Sequence, residues 1–301
     1  MKKTFWLLFI LVSMNCLTVS ARKSLAGHVI MIAFDGWGAY SVQGTQNIPH
    51  IKKLMDNGCW TLKKRSVLPS SSAINWASMF NGCPTEVHGY TQWNSRRPEI
   101  PSRWEQNAHG IIPTIYTLMG EQMPGAETGC LYEWDGIKYL IDTLAVSHHA
   151  LVPNPKGEPS RIVDMAEEYI KSKKPVFLTL SFDGIDHVGH SVGFYSPEYY
   201  KELEMYDGFV GRIVQTAREV FGNDFIIIMS SDHGGVNKGH GSRSLLELQT
   251  PFIVYGKNVK NTGEFSESMM QYDTAATIAY IFGLQQPQVW TGRPMKQVFK
   301  K

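Results

Sequence analysis

Cysteine is scarce in this sequence. Cys16, Cys59, Cys83 and Cys130 are the four, and no two stand in Cys-x-x-Cys spacing. That argues against a thiolate zinc site. Net charge is nearly absent as well, with 29 Lys and Arg residues against 27 Asp and Glu. A chain so balanced does not advertise binding to a nucleic-acid duplex or an anionic membrane. It has no low-complexity segment, no block of like charge and no internal repeat, so nothing marks a linker between domains. Long apolar runs are missing with one exception. Phe5 to Val12 is apolar, but Ser13 and Asn15 interrupt it short of a membrane span.

That run reads as the core of a cleavable leader over residues 1–21. Lys2 and Lys3 give it a basic start, and Val19-Ser20-Ala21 a small-residue cleavage site. Met14-Asn15 is a poor context for lipid attachment at Cys16. Loss of Lys2 and Lys3 would leave a formally neutral chain, secreted or periplasmic, without stable membrane insertion. Its three remaining cysteines are an odd number, so at least one thiol stays free, and all three read as buried small apolar residues. Residues 22–301 are long enough for one α/β domain with a proper core.

What the sequence does have is apolar runs that break into metal-type side chains. His28 to Phe34 ends in Asp35-Gly36. Pro175 to Phe182 ends in Asp183, with Asp186 and His190 behind it. Phe225 to Met229 ends in Ser230-Ser231-Asp232-His233-Gly234-Gly235, with His240 following. Such runs read as buried strands, and in an open α/β sheet chemistry gathers at their carboxyl ends. Six candidate ligands, Asp35, Asp186, His190, Asp232, His233 and His240, would then share one edge and suggest a two-metal site. Carboxylate with imidazole, and no thiolate, suits catalytic zinc and also manganese. Any one of these histidines alone is more often structural; the ordered set behind three strands carries the argument.

Between the runs lie helical patterns. Pro49 to Gly58 has Pro in its first turn and Gly as its stop. Ser70-Ser71-Ser72 precede a helix starting between Ser72 and Asn75. Its free N–H groups would suit a phosphate, though Ser72 alone is more often an N-cap. Helices are expected over Thr114–Gln122, Arg161–Lys171, Pro197 to about Val220 with Ser196 as cap, and Ser268–Phe282. Further strands are expected over Glu127–Tyr132 and Pro251–Gly256, with Ile137–Thr143 unassigned and 153–159 a loop. Residues 91–113 form a surface excursion near the active edge. Alternating strands and helices imply a three-layer αβα sandwich around a mostly parallel sheet.

The order and spacing resemble the alkaline phosphatase superfamily, and within it the type I phosphodiesterase/nucleotide pyrophosphatase family. The residues that carry this are Phe34-Asp35-Gly36, Ile48-Pro49-His50-Ile51, Pro69-x-x-Ser72-x-x-Asn75, Gly82-x-Pro84-x-x-x-His88-Gly89, Asp186-x-x-Gly189-His190, Ser231-Asp232-His233-Gly234, Gly239-His240-Gly241 and the tail from Asp273 to Pro294. The resemblance runs from Val29 to about Phe299. It implies two divalent metal ions, zinc foremost. Asp35, Ser72, Asp232 and His233 would surround one, and Asp186, His190 and His240 the other. Ser72 would be the nucleophile and Asn75 a donor to the phosphoryl group. Family members often carry threonine at the position of Ser72, and a serine keeps the hydroxyl. Asp183 and His187 flank the second set and read as groups that orient ligands.

The implied substrate is a small-molecule phosphate ester, with a phosphodiester or pyrophosphate bond cleaved through a phosphoseryl intermediate. Sulfatases share the fold, but Ala73-Ile74-Asn75-Trp76 lacks the Pro and Arg of their modification motif. Phosphomonoesterases use an arginine that is missing near Ser72, although Arg96, Arg97 or Arg243 could fold in. A phosphotransferase and a non-catalytic envelope binding protein are the other readings. Trp93, Trp104, Tyr132, Trp134, Phe194 and Tyr195 are candidates for stacking on a base, though aromatic residues at such spacing are more often core.

Overall fold

The computed structural model describes residues 23–101, 106–153 and 158–301. The expected leader, Trp104 and part of the 153–159 loop lie outside the described residues. Eight strands form one sheet: β1 (His28–Phe34), β2 (Cys59–Arg65), β3 (Thr128–Tyr132), β4 (His148–Leu151), β5 (Phe177–Phe182), β6 (Phe225–Ser231), β7 (Gln249–Gly256) and β8 (Gly263–Glu264). Their order is β4-β3-β5-β1-β6-β7-β2-β8. Every neighbouring pair is parallel except the two that involve β7.

The helices are α1 (Tyr40–Gly44), α2 (Pro49–Asp56), α3 (Ser72–Asn81), α4 (Thr85–His88), α5 (Ile115–Gln122), α6 (Arg161–Lys173), α7 (Gly184–Val192), α8 (Pro197–Phe221), α9 (Leu245–Leu248) and α10 (Asp273–Phe282). Side chains alternate across a strand, so β1 feeds two cores. Val29, Met31 and Ala33 face α3, α5 and α10. Ile30, Ile32 and Phe34 face α2, α6 and α8. With both faces covered, the central strands can be apolar throughout, and the result is the expected αβα sandwich.

Three expectations change. The last helix begins at Asp273, not Ser268. The chain before it is drawn to β2, where Arg65 N–H donates to Met269 and Gln271 N–H donates to Arg65. The Asp273 carboxylate then accepts from Met270 N–H, which fixes the turn into the helix. Strand β2 was not anticipated, because Lys63, Lys64 and Arg65 hide its pattern. Lys64 is nonetheless fully buried. The unassigned stretch near Ile137 is a 3-10 turn over Asp135–Tyr139.

The register positions the site. Phe34 of β1 lies level with Phe182 of β5 and Ser231 of β6. The residues that follow these three adjacent strands therefore emerge side by side.

Candidate functional site

Asp35, Asp232 and His233 form one cluster whose ligand-type atoms lie within 4.8 Å of one another. All three are buried. Asp232 Oδ1 accepts from Gly36 N–H (3.1 Å) and from its neighbour His233 N–H (2.8 Å). Its Oδ2 is buried with no hydrogen-bond partner and lies 3.2 Å from His233 Nε2. Asp35 Oδ2 accepts from the Trp76 indole at 2.9 Å. His233 Nδ1–H donates to the Gly234 carbonyl at 3.0 Å, so its Nε2 lone pair faces the carboxylates.

Asp186, His190 and His240 form the second cluster, again within 4.8 Å. Helix α7 explains half of it. Residues four apart lie one turn apart on one face, so Asp186 and His190 meet, with His190 Nε2 3.2 Å from Asp186 Oδ2. Gly36 permits the close approach of this helix to β1. Its φ of +71° suits glycine, and a Cβ there would fall 2.6 Å from Asp186 Oδ1. His240 arrives on the loop after β6. Both histidines are oriented through Nδ1–H, His190 to the Lys238 carbonyl (2.9 Å) and His240 to the Ser70 carbonyl (3.0 Å). Their Nε2 atoms then face each other at 3.0 Å. Asp186 Oδ1 is buried without a hydrogen-bond partner.

Two unsatisfied carboxylate oxygens and two opposed imidazole nitrogens fit a cation better than any protein donor. The clusters adjoin, because Asp35, Asp183 and Asp186 form a third such group. The His233 and His240 rings also stack at 3.7 Å.

The charge balance says the same. Burial, and then the carboxylates of its neighbours, push Asp35 and Asp232 well above the ordinary aspartate range. Burial lowers His233 and His240 to about 3, so both imidazoles are neutral. His190 moves the other way, up to about 9, chiefly through its hydrogen bond to Asp186. Without metal, a proton on His190 stands where a cation would neutralise the pair.

Ser72 joins the clusters. It is the first residue of α3, and the N-cap position belongs to Ser71, so Ser72 does not cap the helix. Its Oγ lies 3.1 Å from His233 Nε2 and 3.4 Å from Asp35 Oδ1. A cavity of about 480 Å³ opens over it, lined by Ser71, Ser72, Trp93, Trp134, Asp183, Asp186, His187, His190, Gly239 and His240.

Asn75 is not brought to this cavity. It is fully buried, and its amide donates to the carbonyls of Val67, Pro69 and Ser71 while its oxygen accepts from Val67 N–H. The expected phosphoryl donor thus has no free N–H, and it clamps the loop that presents Ser72 instead. Among the stacking candidates, Trp93 and Trp134 line the cavity. Tyr132 is buried with its hydroxyl against His149. Phe194 packs under His190, and Tyr195 stacks on Tyr40. Asp183 lines the cavity, its backbone N–H held by Glu133.

Sequence reasoning missed Glu247. It is buried, and its carboxylate accepts from Ser70 Oγ (2.8 Å), Ser242 N–H (2.6 Å) and Ser242 Oγ (2.6 Å). Glu247 therefore straps the loop bearing His240 to the loop bearing Ser72. A lone glutamate among leucines gave no motif to find it by.

This sheet, with paired carboxylate–imidazole clusters at its strand ends, is alkaline phosphatase-like. The chain belongs to the type I phosphodiesterase / nucleotide pyrophosphatase family, whose model matches residues 29–245. It is 24% identical over 267 residues to GPI ethanolamine phosphate transferase 1 of Candida glabrata, covering 79% of this chain and 29% of that protein. It is 26% identical over 214 residues to human ectonucleotide pyrophosphatase/phosphodiesterase family member 1, covering 68% and 23%. The chain thus spans less than a third of either relative. Its fold is similar to that of murine ectonucleotide pyrophosphatase / phosphodiesterase 5, solved as an inactive variant in complex with AMP. There the TM-score is 0.74 at 15% identity, over 93% of this chain and all of that one. Among the described residues, no helix is long and apolar enough to cross a membrane.

Proposed function

We propose that the protein is an exported two-zinc hydrolase that cleaves phosphodiester or pyrophosphate bonds through a phosphoseryl intermediate. One observation carries the reading: the Ser72 hydroxyl sits at a helix start, against His233 and Asp35, on the floor of the cavity that the second cluster lines. Asp35, Ser72, Asp232 and His233 would hold one cation, and Asp186, His190 and His240 the other. Bound zinc supplies positive charge that favours the serine alkoxide and the oxygens of an in-line displacement. Ser72 Oγ forms a bond to phosphorus as the bond to the leaving oxygen breaks. Water then attacks from the opposite side and frees Ser72. The N-terminus of α3 adds a favourable dipole for the phosphoryl oxygens. Asn75 acts at one remove, by fixing the loop.

The cavity wall favours diesters over monoesters. Among the described residues no Arg or Lys lines it, Arg96, Arg97 and Arg243 included, so a doubly charged monoester gains no additional cation. The relevant assay compares a nitrophenyl phosphodiester, phosphomonoester and sulfate ester on zinc-restored protein, with Ser72→Ala alongside. Diester preference is expected, with Ser72→Ala slower by roughly a thousandfold or more and still metal-bound. Full activity of Ser72→Ala would remove the nucleophile assignment, and monoester or sulfate preference would remove the substrate class. Transfer to an alcohol is the second reading, favoured by the alignment with the ethanolamine phosphate transferase over 79% of the chain. Added acceptor alcohols would then yield new ester in place of free product.

A further inference from the structure

A second cavity has the reverse character of the first. It measures about 280 Å³ and lies between α2, α8 and β7, where His50, Lys53 and Arg218 line it and no carboxylate does. Tyr255, also in its wall, is level with Ile227 near the start of β6, whereas the ligand clusters follow the end of that strand. The cavity therefore sits toward the far edge of the sheet from Ser72 and shares no lining residue with the catalytic cavity. Helical spacing builds it. His50 and Lys53 lie three apart on α2, and Gly211, Val214 and Arg218 follow at steps of three and four on α8, so each set shares a face. Gly211 lets the His50 ring lie against α8, because a Cβ there would fall 2.6 Å from His50 Cε1. Leu54 and Val214 give the cavity an apolar wall.

The bases here are unspent. All three are exposed, and among the described residues none of them makes an ion pair. The neighbouring carboxylates are engaged elsewhere. Asp207 accepts from the backbone N–H groups of His50 (3.1 Å) and Ile51 (2.7 Å), and Glu219 accepts from the Gln215 amide at 2.9 Å. Arg218 donates one N–H to the Tyr255 hydroxyl at 2.6 Å. The rest of the guanidinium fork and the hydroxyl proton are left for a ligand. Three bases and a hydroxyl around one small cavity without an acid call for an anion. A phosphate monoester carries nearly two negative charges at neutral pH and accepts from several such donors at once. We propose that this cavity binds a small organic phosphate monoester. The phosphoryl group would lie among His50, Lys53 and Arg218, and a short organic body against Leu54 and Val214.

Calorimetry on zinc-restored protein tests this with phenylphosphonate, a monoester analogue whose carbon–phosphorus bond resists hydrolysis. Two binding events are expected, one at the metal clusters and one at this cavity. Arg218→Gln should weaken the second by about ten- to a hundredfold, the scale of a hydrogen bond to a charged group, and leave the first event and diester hydrolysis unchanged. Gly211→Ala should weaken the second event too, by driving the His50 ring into the cavity. Alanine favours a helix over glycine, so that variant keeps its fold. Inorganic phosphate, which has no body for the apolar wall, should bind there more weakly than phenylphosphonate. If no event occurs, or none is weakened by Arg218→Gln, the site is overturned. Inorganic phosphate binding as tightly as phenylphosphonate would overturn the organic ligand.

Discussion

The two ligand clusters use the same kinds of side chain and are held in opposite ways. Asp35, Asp232 and His233 follow directly from central strands and are part of the core. Their positions are set by sheet register, by bonds donated from Gly36 N–H and the Trp76 indole, and by the bond His233 donates to the Gly234 carbonyl. Asp186, His190 and His240 sit on a helix and a loop, and the His190 side chain is 47% exposed. Their positions depend on two backbone carbonyls and the Glu247 strap. Burying an uncompensated carboxylate has an effective penalty of roughly several kcal/mol. The first cluster is therefore an expensive feature that a bound cation would relieve, and it should hold metal tightly. The second has one ligand, His190, exposed to solvent and should exchange its cation more readily.

The largest test of this contrast compares Asp232→Ala with His190→Ala. Asp232→Ala should lower diester hydrolysis by roughly a thousandfold or more at any zinc concentration. His190→Ala should weaken zinc binding by about ten- to a hundredfold and recover much of its rate at high zinc. Equal, unrescuable losses in kcat/KM would erase the distinction. A smaller effect is expected at Glu247. Glu247→Ala should lower zinc affinity at the second cluster by about tenfold while the first is unchanged, read by metal titration with a competing dye. Glu247→Gln, which keeps an acceptor for the Ser70 hydroxyl, should restore part of the loss.

Proton linkage sharpens the contrast further. In metal-free protein His190 holds its proton up to about pH 9. A cation must displace that proton, so affinity at the second cluster should climb with pH and level off near that value. His233, lowered to about 3, has no proton to lose near neutrality, so any proton released at the first cluster comes from the raised Asp35 and Asp232 carboxyls. Calorimetry in buffers of different ionisation enthalpy counts the protons released. None released at about pH 7 would contradict the assignment of His190.

The smallest effect concerns Lys64, buried behind Asp232 with its ammonium on the Ser231 carbonyl and Gln271 Oε1. Burial lowers its pKa from 10.5 to about 7. Between those values the unfolded chain holds more protons, so this group makes stability rise with pH through that window. Lys64→Met should flatten the slope in pH-dependent denaturation of metal-free protein.

Much of this was legible because of where apolar runs stop. Strands β1, β5 and β6 are buried on both faces, so they read as unbroken runs, and each hands its next residues to the same edge. The convergence of Asp35, Asp186, His190, Asp232, His233 and His240 follows from that. Strand β2 was hidden because three consecutive basic residues mimic a surface, and burial of Lys64 depends on partners distant in sequence. Asn75 misled for a related reason. The family resemblance cast it as a phosphoryl donor one helical turn from Ser72, but its hydrogen bonds run back to the preceding loop. Glu247 was invisible because its role arises where two distant loops meet.

The most direct measurement of the central claim is the rate of nitrophenyl diester hydrolysis by metal-stripped protein as zinc is returned one equivalent at a time. The buried cluster should fill first and support little turnover. Activity should then appear with the second equivalent and stop rising beyond it. Full activity after one equivalent, or in the presence of excess chelator, would contradict the two-cluster account.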